Sequence, residues 1–327
     1  MTADTQYARH VRRPILATVA ASAVCALLLS ACGSSSSAAG GPGSGSSPSA
    51  SSAAIPTQDV VSSIQVNPKL KAELPADVQS SGQLILGTTL TPGTSGLPHA
   101  GQAADGTNVG LDVDLRNAVA KVLGVSWDVQ NGTFATIIPG VQNAKYQVGQ
   151  DNFGATKARE RVVDFATYLN DGQGFLAASS VSLSSISAII DVCGYTIATS
   201  PGSTFQTLLT SNASKCAAAG KKPWTVQYFS DSAPIFLGLA NGKVDIYFGP
   251  TLSLRYDATH VANTKFLGQI SSTPVGFVTA KGSPIAKALS DAIDELIANG
   301  DYAKIFDKWG VGGIKITKSE LDPPTSF

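Results

Sequence analysis

The chain carries little charge. Only 14% of its 327 residues are charged, and 23 basic residues balance 23 acidic ones. A nucleic-acid-binding surface needs a clear excess of basic side chains, so nucleic acid is excluded as a partner. Histidine and cysteine are scarce, at three and four residues, and their spacing fits no metal-ligand set. No Ser-His-Asp arrangement or phosphate-binding loop occurs either, so we expect no metal, no cofactor and no enzyme activity.

Long hydrophobic runs are also rare. The longest, residues 15–29, is shorter than the roughly 20 residues that span a bilayer, and Arg9, Arg12 and Arg13 precede it. This pattern predicts a signal peptide over residues 1–31. Leu29-Ser-Ala-Cys32-Gly resembles the lipobox of bacterial lipoproteins, which implies that a lipid on Cys32 anchors the protein to the outer face of the cell membrane. The alternative is an ordinary cleavage site with an incidental cysteine.

Residues 32–59 are predicted to be a tether. Gly, Ser, Ala and Pro make up almost all of residues 33–54, and such a composition buries too little apolar surface to order itself. The run Gly41-Pro-Gly-Ser-Gly lies in this tether and is no nucleotide fingerprint. Cys193 and Cys216 are then the cysteines left in the folded part, and outside the cytoplasm they favour a disulfide over two free buried thiols.

About 270 residues follow the tether, enough for one large domain or two smaller ones. Short apolar runs alternate there with amphipathic segments, which is typical of an α/β fold. Helices are predicted over residues 111–123, from Ser283 to residue 297, and from Tyr302 to Trp309. Asp112 and Asp114 fit the first turn of the first helix as capping acids. Strands are predicted at residues 84–87, 125–129, 225–229, 244–248 and 275–278.

The residues around Arg159 form a recognisable sequence motif. Thr156 precedes Arg159 by three residues, and the acidic-aromatic pair Asp164-Phe165 follows it. With the runs Gly110-Leu-Asp-Val-Asp-Leu, Phe134-Ala-Thr-Ile-Ile-Pro and Gly242-Lys-Val-Asp in the same order, the chain resembles family 3 of the bacterial extracellular solute-binding proteins from about Gln83 to Val311.

The resemblance implies a two-lobed periplasmic-binding-protein fold of type II, with a ligand cleft between lobes joined by a two-strand hinge. Lobe one would comprise residues 60–174 and 277–318, and lobe two residues 175–276. The implied function is extracytoplasmic capture of a small carboxylate-bearing solute, an amino acid or a derivative, for an ABC importer. The partners would be this ligand and the membrane permease, and the protein would be a monomer.

Site residues follow from the same resemblance. Arg159 aligns with the arginine that grips the ligand's carboxylate, a task that suits a guanidinium because it presents two parallel donors. Ser203 and Thr204 would complete the coordination from a helix N-terminus in lobe two, with N-capping alone as the other interpretation. Phe134 would stack on the ligand or simply pack in the core, and Asn152 and Gly154 would border the ligand.

Pro250 departs from the family pattern. It stands where relatives usually carry the Asp that pairs with the ligand's ammonium, and proline offers neither charge nor N–H. Asp151 is the candidate replacement and Asp231 the second, with a solvated loop acid as the other interpretation of each. A ligand without an amine would also explain Pro250. His99 is expected to be an incidental residue at the rim.

Two other functions are compatible with the sequence. A ligand-sensing or interaction lipoprotein no longer coupled to transport would tolerate the changes at Pro250 and Gly154. A dehydratase acting on a cyclohexadienyl acid would use the same fold, with Asp151 as its acid.

Overall fold

A computed structural model describes residues 55–325. The predicted signal peptide, Cys32 and most of the predicted tether lie outside this range. Within it, no helix is long and apolar enough to cross a membrane. The strands are β1 Gln83–Thr89, β2 Gly101–Gln102, β3 Asn108–Val109, β4 Ser126–Gly132, β5 Val148–Gly149, β6 Val163–Ala178, β7 Thr196–Thr199, β8 Thr225–Tyr228, β9 Ile246–Pro250 and β10 Thr264–Ala280.

The α-helices alternate with these strands, as the sequence pattern predicts. They are α1 Pro68–Lys71, α2 Ala76–Ser81, α3 Leu111–Leu123, α4 Phe134–Gln142, α5 Lys157–Glu160, α6 Thr204–Ser211, α7 Lys215–Ala218, α8 Ser232–Ala240, α9 Thr251–His260, α10 Pro284–Asn299 and α11 Asp301–Lys308.

Eight strands form one sheet in the order β4-β1-β5-β10-β6-β9-β7-β8. At one end β4, β1 and β5 run parallel, and at the other end β9, β7 and β8 run parallel. Between them β6 and β10 pair antiparallel over nearly their full length. The fold is therefore two α/β lobes joined by a two-strand hinge.

The two hinge strands are unusually long, with 16 residues in β6 and 17 in β10, against about five or six in an average strand. Each strand therefore contributes to a separate core at each end. One core packs α3, α10 and α11 on the first parallel strands and includes Leu169 and Phe277. Another gathers lobe-two side chains from Phe175 to Leu267. A smaller core lies around α4 and includes Phe153.

Local chemistry sets the ends of the predicted helices. α3 ends at Gly124, which adopts a left-handed φ of 63° and donates its N–H back to the last turn. α10 begins with Pro284, and the Ser283 hydroxyl accepts a hydrogen bond from the N–H of Ile285 at 3.3 Å. Both predicted boundaries are confirmed.

All five predicted strands are present, and two of them are shifted along the sequence. Residues 125–129 become β4 at Ser126–Gly132, and residues 244–248 become β9 at Ile246–Pro250. The second shift has a physical cause at each of the two residues before the strand. The N–H of Val244, in the turn after α8, donates to the carbonyl of Gly238. The side chain of Asp245 accepts a hydrogen bond from the N–H of Thr196 at the start of β7.

Cys193 and Cys216 form a disulfide, so the prediction of a bridge is confirmed and free thiols are excluded. Cys216 lies on α7 and is fully buried. The bridge closes a loop of 23 residues within the lobe-two part of the chain.

Candidate ligand-binding site

A cavity of about 400 Å³ opens between the lobes beside the hinge strands. Its walls come from the loop after β1, the segment after β5, the middle of β6 and β10, and the starts of α6, α8 and α9. All seven residues predicted to bind ligand line it: Phe134, Asp151, Asn152, Gly154, Arg159, Ser203 and Thr204.

Arg159 lines this cavity and contacts both lobes. Thr156 caps α5 by accepting a hydrogen bond from the N–H of Arg159 at 3.2 Å, which fixes the start of the side chain. Nη1 of the guanidinium donates to the carbonyl of Gly154 at 2.7 Å, and Nη2 donates to the carbonyl of Gly202 at 2.9 Å. Burial lowers the pKa of Arg159 to about 10, so the group stays charged at neutral pH.

Two aromatic rings support the guanidinium. Its central carbon lies 5.5 Å from the ring centre of Phe134 and 5.6 Å from that of Phe153, and the two rings are 4.8 Å apart. Such cation–π contacts orient an arginine without using its hydrogen-bond donors. Phe134 therefore lines the cavity and packs against the small core as well.

The start of α6 faces Arg159 from lobe two. The Ser203 hydroxyl donates to the carbonyl of Ser200 at 2.6 Å and accepts from the N–H of Gln206 at 3.1 Å. The hydroxyl is therefore used as an N-cap, which supports the capping interpretation for that group. The first N–H groups of the helix have no intrahelical acceptor and form the polar surface presented here.

Asp151 is a half-buried acid with one carboxylate oxygen that is buried and unpartnered. Oδ1 accepts a hydrogen bond from the Thr89 hydroxyl at 2.8 Å, whereas Oδ2 is buried without a hydrogen-bond partner among the described residues. Burial is the main reason that the pKa of Asp151 rises to about 7, and the negative charge of Asp112 adds to it. This is not a solvated loop acid.

The predicted role of His99 at the rim is wrong. Its side chain is buried, with Nε2 3.0 Å from Oδ2 of Asp171 and Nδ1 3.3 Å from Oδ2 of Asp112. Burial alone would lower the pKa of His99, but the two carboxylates outweigh it and raise the pKa to about 10. Asp112, predicted to be a simple capping acid, thus also holds a buried cation.

Asn152 and Gly154 complete the lobe-one wall. Asn152 adopts a left-handed φ of 51° and donates from Nδ2 to Oδ2 of Asp171 at 3.1 Å. Gly154 bridges Val275 on β10, and a Cβ there would lie 2.7 Å from the Thr273 hydroxyl. A side chain at Gly154 would therefore collide with the hinge strand.

The lobes also touch directly. The hydroxyls of Ser95 and Ser232 are 3.0 Å apart, and the Ser253 hydroxyl donates to the carbonyl of Gly96 at 2.9 Å. With the bond from Arg159 to Gly202, these contacts hold the cleft in a closed arrangement.

A second cavity, of about 870 Å³, borders the hinge and includes Asn170, Gly172 and Gln269. None of the seven predicted ligand-binding residues lines it, and its cations Arg255 and Lys315 are exposed. We therefore place the ligand site in the smaller cavity.

The profile of the bacterial extracellular solute-binding proteins, family 3, matches residues 92–312. The chain belongs to this family. It is 25% identical to the arginine-binding protein ArgT of Corynebacterium glutamicum over 250 residues, which covers 75% of this chain and 79% of that one. It is also 24% identical to the ABC transporter arginine-binding protein 1 of Escherichia coli, covering 65% of this chain and 86% of the relative.

Among solved structures, an ancestral arginine-binding protein bound to arginine superposes with a TM-score of 0.62 at 28% identity. The match covers 70% of this chain and 98% of that one. The two-lobed solute-binding fold is therefore established for this member of family 3.

The departure at Pro250 is visible in this family 3 cleft. Pro250 ends β9, precedes α9 and lines the cavity with neither charge nor N–H. Asp231, the second candidate for an ammonium partner, also lines the cavity, but it is exposed and its side chain forms no hydrogen bond that caps α8. Asp151 is the better placed of the two acids.

Sequence reasoning missed Asp171. It lies on β6, is 4% exposed and borders the cavity. The signal that could have found it is its position, an acid inside a long strand of otherwise buried residues. A charge in such a place needs specific hydrogen-bonding partners, which marks the residue as one with a role. Thr89, which holds Asp151, was missed as well.

Proposed function

We propose that this chain is the lipid-anchored receptor of an ABC importer and that its ligand is a small α-amino acid. The observation that carries this proposal is the presence of a guanidinium and an unpartnered carboxylate oxygen, from Arg159 and Asp151, in one cleft cavity. A zwitterion is the ligand class that satisfies both groups at once.

The positive pole suits the ligand's carboxylate. The carbonyls of Gly154 and Gly202 use two of the five N–H donors of Arg159, so donors remain for an anion. The start of α6 adds backbone N–H groups from lobe two. A carboxylate held between Arg159 and α6 contacts both lobes, so its binding favours closure.

The negative pole suits the ligand's ammonium. Thr89 fixes Oδ1 of Asp151, while Oδ2 is left buried and unpartnered. An ammonium placed there supplies the missing hydrogen bond and lowers the cost of ionising a buried acid. Asp151 thereby takes over, from lobe one, the role that Pro250 cannot perform.

The relatives support amino-acid import. Both relatives are named for arginine binding, and the Escherichia coli protein is also named for an ABC transporter. Anchoring at Cys32 rests on the lipobox pattern. Its test is Cys32→Ala, which we expect to move the protein from the membrane fraction to the medium, and retention at the membrane would refute the anchor.

A thermal-shift panel tests the ligand class. L-Arginine, L-glutamine and other L-amino acids are compared with their 2-oxo analogues, which keep the carboxylate and lack the amine. We expect stabilisation by one or more amino acids and none by the matching 2-oxo acids. Preference for the 2-oxo acids would overturn the ammonium role of Asp151, and the absence of any stabilisation would overturn the proposal.

One observation favours a second candidate function. An acid whose pKa lies near 7 in a cleft is suited to donate a proton, which is what a dehydratase of a cyclohexadienyl acid requires. Incubation with prephenate and measurement of the aromatic product tests it. Turnover that Asp151→Asn abolishes would support an enzyme, whereas reversible binding without product supports the receptor.

A further inference from the structure

Asp171 is a buried acid at the crossing point of the two lobes. It lies in the middle of β6, between Leu169 of the lobe-one core and Phe175 of the lobe-two core. Its side chain is only 4% exposed. A carboxylate so placed is tolerated only with several good partners, because desolvation of a charge is costly.

Its two oxygens divide their partners between the lobes. Oδ2 accepts from Nδ2 of Asn152 at 3.1 Å and lies 3.0 Å from Nε2 of His99, both in lobe one. Oδ1 accepts from the N–H of Gly172 in the hinge at 2.7 Å and from the N–H of Leu252 at 3.2 Å. Leu252 is the second residue of α9 in lobe two.

The lobe-two partner depends strongly on Asp171. Leu252 lies in the first turn of α9, where a helix N–H has no intrahelical acceptor. A negative charge at a helix N-terminus is also favoured by the helix dipole. The carboxylate thus serves as the cap of α9, although it belongs to another strand.

The lobe-one partner is part of the ligand wall. Asn152 lines the cavity next to Asp151 and adopts a left-handed φ of 51°. Asparagine is among the few residues other than glycine that adopt this conformation readily. The bond to Asp171 orients the Asn152 side chain, so the ligand segment and α9 are held by the same carboxylate.

We infer that Asp171 is a positioning residue that couples the ligand-binding segment at Asn152 to helix α9 of lobe two across the hinge. The inference rests on the proposed function only in taking Asn152 as part of the ligand wall. Movement of Asn152 on ligand binding changes the bonds of Oδ2, and through the rigid carboxylate it changes those of Oδ1. The position of α9, and with it the closure of lobe two, then depends directly on the position of Asn152.

The ligand-free protein tests this coupling. Amide hydrogen exchange of Leu252 is measured by NMR in the wild type, Asn152→Ala, Asp171→Asn and the double variant. We expect Asn152→Ala to speed exchange of the Leu252 amide about threefold to tenfold, which is the change expected for the net loss of one ordinary hydrogen bond. In the Asp171→Asn background, Asn152→Ala should have no further effect.

Asp171→Asn is a selective change. Its amide oxygen can still accept from Gly172 and Leu252, while its NH₂ would face the donors of Asn152 and His99. The reference amide is that of Thr196, which donates to Asp245 at 2.8 Å in lobe two away from the hinge and should not change. If Asp171→Asn does not fold, Asn152→Ala in the wild-type background decides alone.

Two results would overturn the inference. One is an unchanged Leu252 amide in Asn152→Ala, and the other is an equal acceleration with and without Asp171. A final arm adds saturating L-arginine, which should protect Leu252 in the wild type and protect it less in Asp171→Asn. If no amino acid binds, the proposed function is wrong and the measurement with ligand gives no protection. The ligand-free measurements still test the coupling in that case.

Discussion

Nη2 of Arg159 in lobe one donates a hydrogen bond to the carbonyl oxygen of Gly202 in lobe two, over 2.9 Å. Gly202 immediately precedes Ser203, the cap of α6. The guanidinium therefore contacts lobe two next to the N-terminus of α6. A ligand carboxylate bound there would have the arginine and the helix on opposite sides.

Arg159→Ala should abolish binding of any amino acid that stabilises the wild type, because the ligand's carboxylate loses its charged partner. The ligand-free protein loses two charge-assisted hydrogen bonds to carbonyls, so its unfolding free energy should also fall, by about 3 kcal/mol at about 1.5 kcal/mol for each bond. Arg161→Ala is the control, since Arg161 is exposed and does not line the cavity. Calorimetric titration and thermal melts measure both effects, and undiminished binding in Arg159→Ala would remove the arginine from the site.

Asp151→Asn should change the pH dependence of stability. The folded-state pKa of Asp151 is raised to about 7 from an ordinary value near 4, so the native state retains a proton that the unfolded state releases. Stability is therefore lost as pH rises from about 4 to about 7, at no more than about 1.4 kcal/mol per pH unit. Asp151→Asn lacks this loss. Its unfolding free energy should therefore rise relative to that of the wild type as pH increases to about 7, and the difference should persist above pH 7.

Melts at pH 5, 6, 7 and 8 measure that difference. Asp257, whose pKa burial raises to about 8, contributes a similar trend to both proteins and cancels in the comparison. A difference in stability between the two proteins that stays constant with pH would show that Asp151 ionises normally. In the wild type, amino-acid affinity should rise by up to tenfold per pH unit below pH 7 and level off above it, because only the ionised acid pairs with an ammonium.

The elements that the sequence predicted well are those with local causes. Gly124 ends α3 and Ser283 begins α10 through bonds to residues within one turn, so a short window of sequence is enough. Arg159 and Asp151 could be placed because the segment around them resembles that of a known family. The side-chain roles of His99 and Asp171 could not, since the two lie 72 residues apart in the sequence and meet only when the loop after β1 packs on the hinge.

Removing the disulfide should weaken lobe two without weakening ligand binding. Paired Cys193→Ser and Cys216→Ser substitutions open a 23-residue loop, which costs about 3 kcal/mol in the chain-entropy model. Neither cysteine lines the ligand cavity. Denaturant unfolding should show the loss, and titration below the new melting temperature should show an unchanged Kd. A large change in Kd at retained stability would mean that the bridge shapes the cleft.

Gly154→Ala should impair both stability and binding. A Cβ at this position would lie 2.7 Å from Oγ1 of Thr273 and 3.6 Å from Cγ2 of Thr204, so the wall of the cavity must shift. Overpacking of this kind typically costs about 1 to 3 kcal/mol. Gly313→Ala is the control, because a Cβ there would meet no atom within 4 Å.

Thr273→Ala added to Gly154→Ala should restore part of the loss. It removes the hydroxyl that collides and leaves the next contacts at 3.4 Å or more, which is ordinary packing distance. Thr273→Ala alone should be mildly destabilising, since Gln173 loses the acceptor to which it donates at 3.1 Å. A double-mutant cycle on melts and Kd measures the coupling between the two positions. Additive losses would show that the cleft wall accommodates a methyl group at Gly154 without contacting Thr273, and the glycine would then have another role.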